Sequence, residues 1–157
     1  MPDALILLVC TGNVCRSPMA AALLQHHLPP DAGWRAASAG TSAVDGEPAS
    51  ASAVAALAEE GVDLDTHRSR PLTLALVQEA QVIVALTRAH RDEILERFPE
   101  AARRVYLLAS FDPQAGDDKD IPDPILGSLE VYRRCRDRIV AAIPGLVAFL
   151  CERRRAG

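Results

Sequence analysis

The segment Leu5-Ile6-Leu7-Leu8-Val9-Cys10-Thr11-Gly12-Asn13-Val14-Cys15-Arg16-Ser17-Pro18 constrains the fold more than any other stretch of the chain. Its first five residues are wholly apolar, as in a strand buried on both faces. A short loop follows Cys10, and Ser17-Pro18 reads as a helix start with proline near the first helical position. Gly12 and Asn13 can take the positive φ that a tight anion-binding nest requires. The loop amides then converge on one point, reinforced by the positive end of the helix. Arg16 adds a planar fork that matches a tetrahedral oxyanion with two donors. Cys10 lies below that point, where positive potential favours the thiolate, the nucleophilic form. The segment reads as a phosphate cradle, Thr11, Gly12, Asn13, Val14, Cys15, Arg16 and Ser17, with a nucleophile at its floor. The plain alternative is an ordinary strand–turn–helix with a buried cysteine.

Strands and helices alternate along the rest of the chain, which predicts an α/β fold with a four-stranded parallel sheet and helices on both faces. The strands are expected near Leu5–Val9, Trp34–Ser38, Gln81–Leu86 and Arg104–Leu108. The intervening helices are expected over Ser17–Leu28, Pro48–Glu60 and Arg88–Phe98, ended by Pro29-Pro30, Gly61 and Pro99. An Asp-, Pro- and Gly-rich loop from Ala109 to Gly127 is long enough to be functional. A closing helix carries Leu129, Tyr132, Cys135 or Arg136, and Ile139 on one face, and Pro144-Gly145 is expected to interrupt it before a last short turn. With the first strand central, the cradle lies at the carboxyl edge of the sheet, where open α/β folds bind ligands.

Length and composition narrow the function. At 157 residues the chain is expected to be one domain, spanning 1–157. A net charge of −4 gives no nucleic-acid footprint, and Arg153-Arg154-Arg155 reads as a solvated helix end. The Leu5–Val9 run is too short to span a membrane and lacks a basic lead-in. Four cysteines without a framework spacing predict a reduced, cytoplasmic protein. No His/Cys/carboxylate cluster has metal-ligand spacing, so neither metal nor cofactor is expected. Dinucleotide and Walker-type nucleotide motifs are missing too. A monomer without nucleic-acid or membrane partners is the expected state.

The chain resembles the low-molecular-weight protein tyrosine phosphatase family over nearly its whole length. The resemblance rests on Val9-Cys10-Thr11-Gly12-Asn13-Val14-Cys15-Arg16-Ser17-Pro18-Met19-Ala20, Ser38-Ala39-Gly40-Thr41-Ser42, Thr66-His67-Arg68-Ser69-Arg70, Ser110-Phe111-Asp112-Pro113-Gln114 and Asp123-Pro124. It implies a phosphorylated protein or peptide substrate and a cysteinyl-phosphate intermediate on Cys10, with Arg16 clamping the phosphate. Two Asp-Pro pairs compete for general acid and base, and spacing alone does not choose between them. The resemblance favours Asp123 and makes Asp112 a structural corner. It also implies that Asn13 contacts serines such as Ser17 or Ser42 and that His67 and Arg70 brace the cradle from behind; from the residues themselves, Ser17 Oγ is expected to hydrogen-bond the Cys10 thiolate and improve it as a leaving group. A reversible Cys10–Cys15 disulfide is a further implication; a small packing residue is the plain reading of Cys15.

The branch is marked by opposing cues. Cys10-Thr11-Gly12-Asn13 and Asp123-Pro124-Ile125-Leu126-Gly127-Ser128 look like the protein arginine phosphatases, which carry threonine where this chain has Val14. Val14 and Ser110–Gln114 look like the tyrosine branch, although the aromatic residues of that branch are replaced here by Ile125-Leu126 and Val44-Asp45-Gly46. Phosphotyrosine is favoured and phosphoarginine is the alternative. A thiol-dependent arsenate reductase needs resolving cysteines, and none stands between Cys15 and Cys135. A silent phosphate-binding module needs neither thiolate nor acid.

Overall fold

The structure is a computed structural model and describes residues 2–156. Four strands, β1 (Ala4–Cys10), β2 (Trp34–Gly40), β3 (Ala80–Ala85) and β4 (Val105–Leu107), form one parallel sheet in the order β2-β1-β3-β4. Among the described residues five α-helices surround it: α1 (Arg16–His27), α2 (Ala51–Ala58), α3 (Leu74–Glu79), α4 (Arg88–Arg97) and α5 (Leu129–Ala156). β1 is central and every one of its residues is buried.

The period of two along β1 divides the core into two clusters. Ala4, Ile6, Leu8 and Cys10 face a layer built from α1, α2 and α5. Leu5, Leu7 and Val9 face the layer that holds Val77 of α3 and Ile94 of α4. A strand with two dry faces has no polar position to offer, which is why Leu5–Val9 reads as an unbroken apolar run.

Three features differ from the sequence expectation. The strands run to Cys10 and Gly40, because β1 and β2 stay paired up to the register Cys10↔Gly40. α3 was not expected; its six residues are too few to show a helical period, and its start is capped by Thr73 Oγ1, which accepts from Leu76 N at 3.3 Å. The break expected at Pro144-Gly145 is corrected: α5 continues through Pro144 to Ala156. Tertiary packing overrides the local cost of proline here. Ile139, Ala142, Ile143, Leu146 and Leu150 of α5 are all buried in the same core cluster.

Gly145 has a packing role. A Cβ built on it would lie against the carbonyl of Phe111, whose ring packs at a tilt against Phe149 of α5, 5.3 Å between centroids. Gly145 thus lets the chain after β4 seat directly on α5 and sets the course of the loop that leads to Asp123. Gly145→Ala is expected to overpack this contact and cost about 1–3 kcal/mol, read as a fall in thermal midpoint of roughly 2–4 °C per kcal/mol.

Candidate active site

The loop between β1 and α1 leaves the sheet at its carboxyl edge, anchored on both sides. Thr41 N donates to Cys10 O at 2.9 Å and Ser42 N to Thr11 O at 3.0 Å, while Leu86 N donates to Val9 O at 3.1 Å. Gly40 is required where β2 meets this loop, because a Cβ there would press on the Thr11 carbonyl. Asn13 has φ +59°, a left-handed position that asparagine tolerates better than most side chains.

The Asn13 side chain is wholly buried and fully used. Its Nδ2 donates to Ser17 Oγ at 2.8 Å and to Ser38 Oγ at 2.9 Å, and its Oδ1 accepts from Arg70 N at 2.9 Å. Its carbonyl accepts from His67 Nε2 at 2.7 Å, an arrangement that requires the proton on Nε2. The serine partners are therefore Ser17 and Ser38, not Ser42. Ser42 is exposed and reaches the cradle only through its backbone N–H.

This bracing shapes a cavity of about 170 Å³ lined by Cys10, Thr11, Gly12, Asn13, Val14, Cys15, Arg16, Asp123 and Ile125. Among the described residues, the amides of Gly12 to Arg16 donate to no backbone carbonyl, so they are available to an anion above Cys10. Arg16 is 5% exposed. Its Nη1 donates to Ile121 O at 3.0 Å and its Nη2 lies 3.5 Å from Asp123 Oδ2. Cys10 Sγ lies 2.9 Å from Ser17 Oγ.

Of the two aspartates that compete in the sequence, Asp123 borders the cavity. Its Oδ1 accepts from Ile125 N at 3.0 Å, which leaves its Oδ2 toward Arg16. Asp112 closes a turn of its own by accepting from Gln114 N at 2.9 Å. Leu126, beyond Ile125, has φ +64° and is 98% exposed, so a bulky aliphatic chain stands in solvent beside the cavity.

The second thiol of the loop, Cys15, is in a different environment. Its Sγ lies 3.3 Å from Tyr132 Oη and 3.5 Å from Ser50 Oγ. Burial pushes its pKa above the ordinary thiol value against the opposing pull of those hydroxyls. All four cysteines are free.

His90 is a further neighbour of the site. It lies 79 positions after Thr11, and a lone histidine on a helix carries no local signal. Its Nε2 pairs with Thr11 Oγ1 at 2.8 Å and its Nδ1 with Thr87 Oγ1 at 3.0 Å. Burial, with the nearby Arg16 charge as the next cause, lowers its pKa to about 4. The ring is thus a neutral strut between α4 and the cradle.

Comparison with known proteins agrees with this geometry. Residues 5–156 match the family model described as low molecular weight phosphotyrosine protein phosphatase. A protein-arginine-phosphatase from Geobacillus stearothermophilus is 45% identical over 141 residues, covering 90% of this chain and 92% of that protein. The solved structure of an arginine phosphatase from that organism superposes with a TM-score of 0.88 at 41% identity, covering 98% and 97% of the two chains. A low molecular weight protein-tyrosine-phosphatase from Streptomyces coelicolor is 37% identical over 155 residues, covering 94% and 93%. Vibrio vulnificus Wzb, solved with benzylphosphonate, superposes with a TM-score of 0.83 at 34% identity, covering 92% and 97%. The fold and the family model together define a hydrolase of phosphorylated proteins. The chain belongs to the low-molecular-weight phosphotyrosine protein phosphatase family.

Among the described residues no helix is long and apolar enough to cross a membrane, and no cluster of His, Cys, Asp and Glu has the geometry to hold a metal. The His90 environment has a measurable consequence. An unfolded histidine titrates near 6.5 and the folded one near 4, so between these values the unfolded state binds more protons and stability falls as pH drops. Urea midpoints are expected to decline from pH 6.5 to 4 in the wild type, and more shallowly in His90→Gln.

Proposed function

We propose that the chain hydrolyses phosphotyrosine in proteins or peptides in two steps at Cys10. The observation that carries this reading is one cavity that brings together Cys10 Sγ, 2.9 Å from Ser17 Oγ, the open amides of Gly12 to Arg16, and Asp123 beside Arg16. A phosphoryl group in the cradle meets five N–H groups and the Arg16 fork, which match charge spread over its three equatorial oxygens. Cys10 Sγ attacks phosphorus from below as the P–O bond to the tyrosine breaks. Protonated Asp123 delivers its proton to the departing oxygen. In the second step the Asp123 carboxylate takes a proton from water as the water oxygen attacks phosphorus, and the S–P bond breaks. Ser17 Oγ, 2.9 Å from Sγ, donates to the leaving thiolate.

The lining favours an aryl phosphate through its aliphatic rim. Ile125 and the exposed Leu126 offer apolar surface to a ring, and burying a ring against such groups is favourable without aromatic partners. A tetrahedral anion on a benzyl group occupies the similar Vibrio protein. The second reading, phosphoarginine, is favoured by the arginine phosphatase relative at 45% identity; against it stands Val14, which brings no hydroxyl to the cradle. Asn13, Ser38, His67, Arg70 and His90 are positioning residues in this scheme, and Ser42 contributes only its backbone. The enzyme works as a cytoplasmic monomer without metal, nucleic acid or membrane partners.

The test is phosphate release, without added metal, from matched phosphotyrosine, phosphoarginine and phosphoserine peptides. Release is expected to favour phosphotyrosine, to vanish in Cys10→Ser, and to slow by about 10²–10⁴-fold in Asp123→Asn. Asp112→Asn is expected to leave turnover within a few-fold of wild type. Preference for the phosphoarginine peptide would overturn the substrate assignment, and slow turnover in Asp112→Asn alone would overturn the acid.

A further inference from the structure

A second cavity, of about 400 Å³, opens on the far side of the β1–α1 loop, between α1, the edge strand β2 and the segment after α2. Its volume is in the range that takes a drug-sized small molecule, and more than twice that of the cradle. Its floor holds Ala21 and Ala22 of α1 and Ala36 of β2, with Gln25 beside them. Its wall holds Asp63, His67, Arg68 and Arg70. Two arginines against one aspartate give these three side chains a net charge of +1.

The arginines are only partly engaged. Arg70 Nε donates to Ser38 O at 3.0 Å, and Arg68 Nη1 donates to the His67 carbonyl at 2.7 Å. Each fork keeps further donors for a ligand. Asp63 is turned to its own loop, where its Oδ1 accepts from Asp65 N at 2.8 Å. His67 is held below the ordinary histidine range, first by burial and then by the charges of Arg68 and Arg70. The wall is therefore mildly cationic and stands over the alanine floor.

We infer that this cavity is a second ligand site, which takes a small monocarboxylate with a flat or compact apolar body, the carboxylate on Arg68 and Arg70 and the body on the alanine floor. The site communicates with the cradle. Arg70 N holds Asn13 Oδ1 and His67 Nε2 holds Asn13 O, and Asn13 in turn holds Ser17, the partner of Cys10. A bound anion offsets the repulsion between the Arg68 and Arg70 guanidiniums and so steadies the segment that fixes Asn13. By linkage, such a ligand and a phosphate in the cradle strengthen each other. This coupling rests on the phosphatase reading, whereas binding in the cavity does not, so the two fail separately.

Calorimetric titration of the full chain with 2-naphthoate tests the site. One molecule is expected to bind per chain, with affinity at least tenfold lower in Arg68→Glu, which changes an exposed residue, and in Ala22→Trp, which fills the floor. Both variants are expected to keep wild-type phosphate release. Saturating 2-naphthoate is expected to lower the inhibition constant of inorganic phosphate about fivefold in the wild type, the lower end of common coupling strengths, and to leave it unchanged in Arg68→Glu. Unaltered 2-naphthoate affinity in Arg68→Glu, or competition between 2-naphthoate and phosphate, would overturn the site. Two bound phosphates per chain with no 2-naphthoate binding would overturn the ligand class.

Discussion

Asn13 is the residue on which the rest of the site depends. At φ +59° it takes a left-handed turn in the loop whose following amides have no backbone acceptor, and its buried amide group ties three separate segments together: Ser17 on α1, Ser38 on β2, and Arg70 from the chain that follows α2. A buried amide with all its hydrogen bonds made stabilises modestly, but removing it leaves several buried partners unsatisfied at about 1–3 kcal/mol each. The left-handed turn is thus over-determined by its neighbours, the condition under which a less favourable backbone conformation persists at a functional site.

The sheet gives this hub a rigid base. β1 is buried on both faces and paired on both edges, and it carries Cys10 at its end. Two further connections join the loop to distant parts of the chain. Thr11 meets His90 of α4, and Arg16 meets the carbonyl of Ile121, a buried residue just before Asp123. The same guanidinium that faces the cradle therefore also sets the position of the segment that carries Asp123. Phosphate binding and acid placement share one side chain, which links the two halves of the proposed chemistry.

The cradle was legible in the sequence because its signal is local: an apolar strand, a Gly-Asn turn and a Ser-Pro helix start lie within fourteen consecutive residues. The parallel sheet was legible because both-face burial writes continuous apolar runs. Ser38 and His90 were not legible as site neighbours, because their contacts span 25 and 79 positions and depend on how helices and strands pack. α3 is too short to show a period. The proline in α5 was misleading in isolation, since the sequence shows a helix breaker but not the core face that keeps the helix continuous around it. Asp123 and Asp112 are alike as Asp-Pro pairs, so spacing did not choose between them; the resemblance favoured Asp123, and the tertiary course of the loop places it beside Arg16 while Asp112 closes its own turn.

The measurement that tests this account most directly is the inhibition constant of inorganic phosphate in Asn13→Ala, taken alongside a thermal melt that shows the variant folded. If the hub shapes the cradle, the constant rises at least tenfold although Asn13 donates no side-chain group to the anion. A folded Asn13→Ala protein that binds phosphate as tightly as the wild type would contradict the account.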